Sequence, residues 1–143
     1  MGRIYIKTYN LSKQDPGQNI RNFCYRNNFT TSRKADGFGH GDGLIRAQLM
    51  ESYKEKRDFL IVAHDGIKPV AWAIAYKDDG KSMFQAYVPV RMRRKGIGSR
   101  MLKAGLKQIG RVEVYDIDTS GQFFRANGLT DTGKITGRRL KKA

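Results

Sequence analysis

The residues Tyr87-Val88-Pro89-Val90-Arg91-Met92-Arg93-Arg94-Lys95-Gly96-Ile97-Gly98-Ser99-Arg100 constrain the fold more than any others. They read as a strand that runs through a glycine-bearing turn directly into a helix. That helix continues to about Gln108, with Met101, Leu102, Leu106 and Ile109 spaced for a buried face and Gly110 as its stop. The first N–H groups of any helix lack backbone partners, and its N-terminal end carries partial positive charge, so this junction is built to receive an anion. Gly96 and Gly98 have no Cβ, which allows a phosphate close to the backbone. Arg93, Arg94 and Lys95 add full charges. The chemistry called for is capture of a pyrophosphate.

Two common pyrophosphate loops do not fit. A Walker loop requires Gly-Lys followed by Ser or Thr, and this segment has no such triplet. A dinucleotide fingerprint requires a third glycine where Met101 stands and a first strand near the start of its unit; both conditions fail.

Elsewhere the sequence reads as alternating strands and helices without repeats or low-complexity tracts, and predicts one domain over residues 1–143. Ile4 to Tyr9 is a β-branched and aromatic run, hence a strand. Gln18 to Asn27 is a short helix with Ile20, Phe23 and Cys24 at helical spacing. Asp36-Gly37-Phe38-Gly39-His40-Gly41-Asp42-Gly43 has glycine at alternate positions and reads as a loop. Asp42 is placed to cap the next helix, whose apolar seam is Leu44, Ile45, Leu49 and Tyr53. Three strands follow: Phe59 to Ala63, Pro69 to Tyr76 and Ser82 to Val90. Turns at His64-Asp65-Gly66 and Lys77-Asp78-Asp79-Gly80 join them. After the Gly96 helix come a strand at Arg111 to Asp116, a short helix at Ser120 to Asn127, and a basic tail expected to close the sheet. This order predicts an α/β sandwich, a mixed sheet with helices on both faces.

Charge narrows the partners. The chain has 28 Lys and Arg against 13 Asp and Glu, a formal +15, which favours acidic partners such as nucleic acid, ribosomes, acidic proteins or a phosphorylated cofactor. No acid lies between Asp79 and Glu113, and the tail adds Lys134, Arg138, Arg139, Lys141 and Lys142. A solvated surface is the plainer reading of the same charges. No apolar run approaches the roughly 20 residues of a spanning helix. The N-terminus carries no signal-length apolar stretch, and where N-myristoylation expects Ser or Thr it has Ile6, so a cytosolic location is expected. Cys24 is the only cysteine and reads as a buried small apolar side chain; with His40 and His64 the only histidines, no metal site is expected.

The Arg93-Arg94-Lys95-Gly96-Ile97-Gly98 segment resembles the acetyl-CoA loop of the GNAT N-acetyltransferase superfamily, Arg/Gln-x-x-Gly-x-Gly/Ala at the start of the central helix. Val88 stands five residues earlier, where that family places a Val on a splayed central strand. Phe123-Phe124-Arg125-Ala126-Asn127-Gly128-Leu129 is similar to its Phe-Tyr-x-x-x-Gly-Phe helix end. The likeness spans Phe59 to Leu129, and the N-terminal third matches by pattern alone.

The resemblance implies a largely antiparallel mixed sheet whose splayed central strands hold acetyl-CoA. Backbone groups near Tyr87 and Val88 would bond pantetheine, the N–H groups from Arg94 to Ser99 would bind the pyrophosphate, and Phe124 would lie beside the cofactor. Pro89 departs slightly from the family, one residue before the proline many relatives carry. The implied reaction is direct attack of an amine on the thioester, which needs an uncharged amine, a donor to the developing oxyanion and a proton for the leaving thiolate. Many relatives have a Tyr donor where this chain has Phe124, so Tyr115 and Tyr87 become the candidate acids. Glu113, Asp116, Asp118, His40 or a water chain are the candidate bases, and Phe38, His40 and Asp42 the candidate acceptor contacts. Two readings remain open from sequence. One is an acetyl-CoA-dependent enzyme acting on an amine of an acidic protein, a ribosomal component or aminoacyl-tRNA. The other is a non-catalytic module of the same fold. A dimer is compatible with either.

Overall fold

A computed structural model of the chain describes residues 3–27, 44–110, 113–115, 129–131 and 139–142, with side chains for 3–27 and 45–110. Seven strands form one sheet: β1 (Ile4–Asn10), β2 (Phe59–Asp65), β3 (Lys68–Asp78), β4 (Lys81–Tyr87), β5 (Glu113–Tyr115), β6 (Leu129–Asp131) and β7 (Arg139–Lys142). Their spatial order is β1-β2-β3-β4-β5-β7-β6. The β4–β5 pair is parallel and the other neighbours are antiparallel. Three helices are described, α1 (Gln18–Arg26), α2 (Leu44–Glu55) and α3 (Ile97–Ile109).

The strands alternate their side chains between two cores, which explains why they read so clearly in sequence. On one face Ile61, Ala73, Ala75 and Phe84 meet Ile97, Met101 and Leu102 of α3. On the other, Leu60, Val62, Trp72 and Ile74 meet Ile20 and Cys24 of α1 and Ile45 and Leu49 of α2. Burying each large apolar side chain of this kind contributes about 1.5–3 kcal/mol. The helices therefore lie on both faces of a mixed, largely antiparallel sheet, as expected. Cys24 is fully buried. Trp72, also buried, satisfies its indole N–H on the Asn27 carbonyl at 2.6 Å.

Some element boundaries differ from expectation, each for a local reason. Beyond Ala63, β2 continues through His64 and Asp65, and the turn is Gly66–Ile67. The register jumps from Ala63↔Ala71 to His64↔Pro69, a bulge beside a proline that has no N–H to give the ladder. Asp79 (φ 51) and Gly80 (φ 76) form the β3–β4 turn, both left-handed as a two-residue type I′ turn requires. β4 stops at Tyr87 instead of reaching Val90. Pro89 interrupts the ladder and the chain tightens into a 3-10 turn over Val90–Met92, closed by Met92 N–H to Pro89 at 2.8 Å and Arg93 N–H to Val90 at 3.2 Å. Leu129–Asp131 is a strand the sequence reading lacked. It takes the last place in the sheet order, so the tail strand β7 inserts between β5 and β6 rather than ending the sheet. The Gly-rich segment at 36–43, the expected cap at Asp42 and the helix at 120–127 lie outside the described residues.

Candidate functional site

The site is assembled where β4 ends. β4 and β5 run parallel and, among the described residues, share a single pair, Met83↔Glu113. From Phe84 to Tyr87, β4 keeps its partners on β3 but has none on β5 among the described residues. Strand spacing in a sheet is set by continuous hydrogen bonding, so two neighbours that share one pair diverge beyond it. The gap opens beyond Met83 and Glu113, and Tyr87 and Val88 follow further along the β4 side.

The chain then turns into α3 through residues with unusual backbone angles. Arg94 has φ 62 and Gly96 has φ 77. Such a conformation costs roughly 1–2 kcal/mol for a residue with a Cβ, and glycine adopts it freely. The turn is pinned at both ends by buried Met92 and Ile97. Across it, Arg93 Nε donates to the Val88 carbonyl at 2.8 Å. The first intrahelical bond is given by Arg100 to the Gly96 carbonyl at 3.1 Å, so the amides of Ile97, Gly98 and Ser99 precede the helical ladder. No side chain caps the helix start. A Cβ on Gly96 would meet nothing within 4 Å, so the turn opens outward.

The charges are distributed unevenly. Arg91, Arg94 and Lys95 are exposed, whereas Arg93 is half-buried under its bond to Val88. Neither Arg91 nor Arg94 has an acidic partner among the described residues. The strained turn sets ladderless amides beside exposed cations, an arrangement suited to an anion.

Tyr87 is buried, and its side chain belongs to the cluster on the α1/α2 face. Next to it on that face, Gln85 Nε2 donates to the Tyr76 hydroxyl at 2.6 Å. Glu113 and Tyr115 are placed by backbone on β5, Glu113 in register with Met83 and Lys141, Tyr115 with Arg139. Phe124, Asp116, Asp118, Phe38, His40 and Asp42 lie outside the described residues. The sequence reading placed Tyr87, Val88 and the 93–99 turn at one locus, and the structure sets them in one continuous run from the end of β4 into α3. That reading missed that Arg93 clasps the strand end, and it missed Gly105. That glycine lets α3 sit against the sheet, since a Cβ there would lie 3.1 Å from Phe84 Cδ2 and 3.3 Å from Ile61 Cδ1. A glycine inside a helical pattern was the available signal.

Among the described residues no helix is long and apolar enough to cross a membrane, and no three His, Cys, Asp or Glu side chains gather as metal ligands.

No protein-family model and no curated protein matches the chain. Solved structures do. The PaiA N-acetyltransferase of Thermoplasma acidophilum, crystallised with coenzyme A, superposes with TM-score 0.63 at 13% identity over 98% of each chain. A GCN5-related N-acetyltransferase from Ralstonia eutropha gives 0.65 at 13% identity, covering 94% of this chain and 97% of that one. An acyl-CoA N-acyltransferase from Pseudomonas aeruginosa gives 0.64 at 8% identity over 97% of each. At these identities the likeness is one of fold: the chain has the GNAT N-acetyltransferase fold.

Proposed function

We propose that this chain, as one domain over residues 1–143, is an acetyl-CoA-dependent N-acetyltransferase. Its acceptor is an amine on an acidic or nucleic-acid-associated macromolecule of the cytoplasm, such as an acidic protein face, a ribosomal component or a tRNA. The observation that carries this reading is the preformed turn at Arg93–Ser99 standing beside the gap between β4 and β5. A diphosphate suits the turn: the amides of Ile97, Gly98 and Ser99 precede the helical ladder, a Cβ at Gly96 would meet nothing within 4 Å, and Arg91 and Arg94 have no acidic partner among the described residues. That fold neighbours are N-acetyltransferases, one of them holding coenzyme A, agrees with this use of the site.

In this reading the amides from Arg94 to Ser99 hold the diphosphate, with exposed Arg94 and Lys95 supplying charge. Bound acetyl-CoA supplies an activated thioester carbonyl. Because the Val88 carbonyl already accepts from Arg93, its N–H is the backbone group assigned to the pantetheine and reacting end. Tyr87 and Tyr115 are the candidate proton donors and Phe124 an apolar neighbour of the donor. The general base is Glu113, Asp116, Asp118, His40 or water.

The test is calorimetric titration with acetyl-CoA. The parent should bind at micromolar affinity and gain melting temperature, because a ligand selective for the native state stabilises by RT ln(1 + [L]/Kd). Gly98→Asp should fold but not bind, since it sets a carboxylate against the diphosphate. Equal binding by that variant would remove the turn from the site. The alternative, a non-catalytic module of the same fold, is supported by Phe124 standing where relatives have Tyr. Its signature is acetyl-CoA binding, or none, without transfer to any acceptor.

A further inference from the structure

β1 stands at the end of the sheet order and, among the described residues, pairs only with β2. Ile4 and Ile6 pack on the α3 side, so Tyr5 and Lys7 project from the opposite face. Arg3, exposed and one residue before the strand, continues the alternation. Tyr5 is 43% exposed. Its ring stacks on His64, its partner in register on β2, with centroids 4.9 Å apart and planes 8° from parallel. His64 is 4% exposed, and neither ring nitrogen reaches a hydrogen-bond partner among the described residues. The buried imidazole lies flat against one face of the Tyr5 ring. Lys7 leans over Tyr9, its Nζ 5.0 Å from that ring's centroid, and stays exposed.

From this arrangement we infer that Arg3, Tyr5 and Lys7 form a docking platform for single-stranded nucleic acid. Residues two apart on a strand stand roughly 6.8 Å apart on one face, so a cation flanks the pinned ring on each side. A base stacked on Tyr5 places its neighbouring phosphates toward Arg3 and Lys7, the combination of aromatic face and basic track by which single strands are bound. An acidic peptide would use the two cations but has no need of a ring held flat against a buried imidazole. The chain's +15 charge supplies long-range attraction.

The platform deepens the proposed function by naming a partner and a surface, yet binding requires no acetyl transfer. Register connects the two places: Lys7 pairs Val62, Val62 pairs Trp72, and Trp72 pairs Tyr87. At strand spacing this sets the platform roughly 14 Å from the end of β4, on the α1/α2 face that Tyr87 shares.

Fluorescence anisotropy with labelled 12-mers of uridine and of thymidine at about 50 mM salt tests the inference. The parent should bind, and Tyr5→Ala should weaken binding about 5- to 150-fold, the span of one base–aromatic stack. Tyr5→Trp should retain affinity, and Tyr5→Leu, which keeps apolar volume but no ring, should lose it as Ala does. Arg3→Gln and Lys7→Gln should each flatten the salt slope by about 0.7. The RNA and DNA arms identify the polymer: a preference for uridine assigns RNA, a preference for thymidine assigns DNA, and equal affinity assigns shared base and phosphate chemistry. The platform is overturned if neither oligonucleotide binds, if Tyr5→Leu binds like the parent, or if only poly-glutamate shows the variant pattern. Acetyl-CoA affinity measured on the same variants should not change, which separates failure here from failure of the cofactor reading.

Discussion

Arg93 reaches back across the turn and donates from Nε to the Val88 carbonyl, 2.8 Å away. One side chain thereby ties the end of β4 to the start of α3, the two walls of the candidate site. A hydrogen bond from a charged donor contributes about 1.5–3 kcal/mol, and partial exposure of Arg93 places it toward the lower end. Arg93→Lys keeps the charge but loses the planar Nε–H. It should lower stability by about 1 kcal/mol in urea denaturation and weaken acetyl-CoA about tenfold. A lysine variant equal to the parent in both measurements would show that the clasp does not shape the turn.

Arg94 is held at φ 62, and the same conformation suits glycine. Arg94→Gly should therefore leave the melting temperature unchanged or raise it slightly. Relief of roughly 1–2 kcal/mol of backbone strain offsets the extra chain entropy of glycine, about 0.5–1 kcal/mol. Acetyl-CoA should nevertheless bind more weakly, because an exposed cation beside the diphosphate is gone. A stable variant with reduced affinity marks strain kept for function. A destabilised variant with normal affinity argues that the arginine packs instead.

The strands and the 93–99 turn were legible because their signals are local. Ile4 to Tyr9 and Phe59 to Ala63 alternate or run apolar with the sheet's own period, and Gly96 marks the turn into α3. The Asp79-Gly80 turn could be read from two residues. What depends on distant partners could not. Pro69 withholds a ladder bond, but where the register shifts depends on its partner β2, and nothing near Leu129 says that its three-residue strand pairs with the tail rather than with β5. The Tyr5–His64 stack joins residues 59 positions apart and follows only from the β1–β2 register.

Gly105 sets the depth at which α3 packs. An added methyl would lie 3.1 Å from two Phe84 ring carbons, and Phe84 is itself buried against the helix. Glycine to alanine normally gains about 1 kcal/mol in a helix. Here overpacking, typically 1–3 kcal/mol, should win. Gly105→Ala should lose about 1 kcal/mol and Gly105→Val distinctly more. A melting temperature raised by Gly105→Ala would mean that α3 can lift from Phe84 without cost.

His64 gives the fold a pH dependence whose sign is fixed by its surroundings. Burial pushes its imidazole below the ordinary range, the Lys7 charge adds to that, and the Ile67 backbone opposes it without reaching hydrogen-bond geometry. The unfolded chain, with a histidine near pKa 6.5, therefore binds the proton first as pH falls. The stability due to a neutral His64 is fully present above about pH 6.5 and declines below it. His64→Phe keeps a ring for Tyr5 and removes the titration. Between pH 7.5 and 5, urea midpoints of the parent should fall relative to this variant. Parallel curves would mean that the imidazole finds solvent.

The last prediction concerns the proton for the leaving thiolate. Phe124 cannot donate one, and a thiol with a pKa near 8.5 departs tolerably without help at neutral pH. A positioned acid typically contributes about 10²- to 10⁴-fold, so its absence slows the reaction without forbidding it. Tyr87 is buried in the α1/α2-side core, and Tyr115 lies on β5 across the gap from β4. Under saturating acetyl-CoA, Tyr115→Phe should cost at least tenfold in turnover if that residue has taken the donor's role. Phe124→Tyr should then add little. If instead no residue has taken it, Phe124→Tyr should accelerate turnover while Tyr115→Phe changes nothing. A fast parent indifferent to both substitutions places the acid elsewhere, with Tyr87→Phe the next variant to measure. Activity appearing only in Phe124→Tyr would identify the parent as the non-catalytic module.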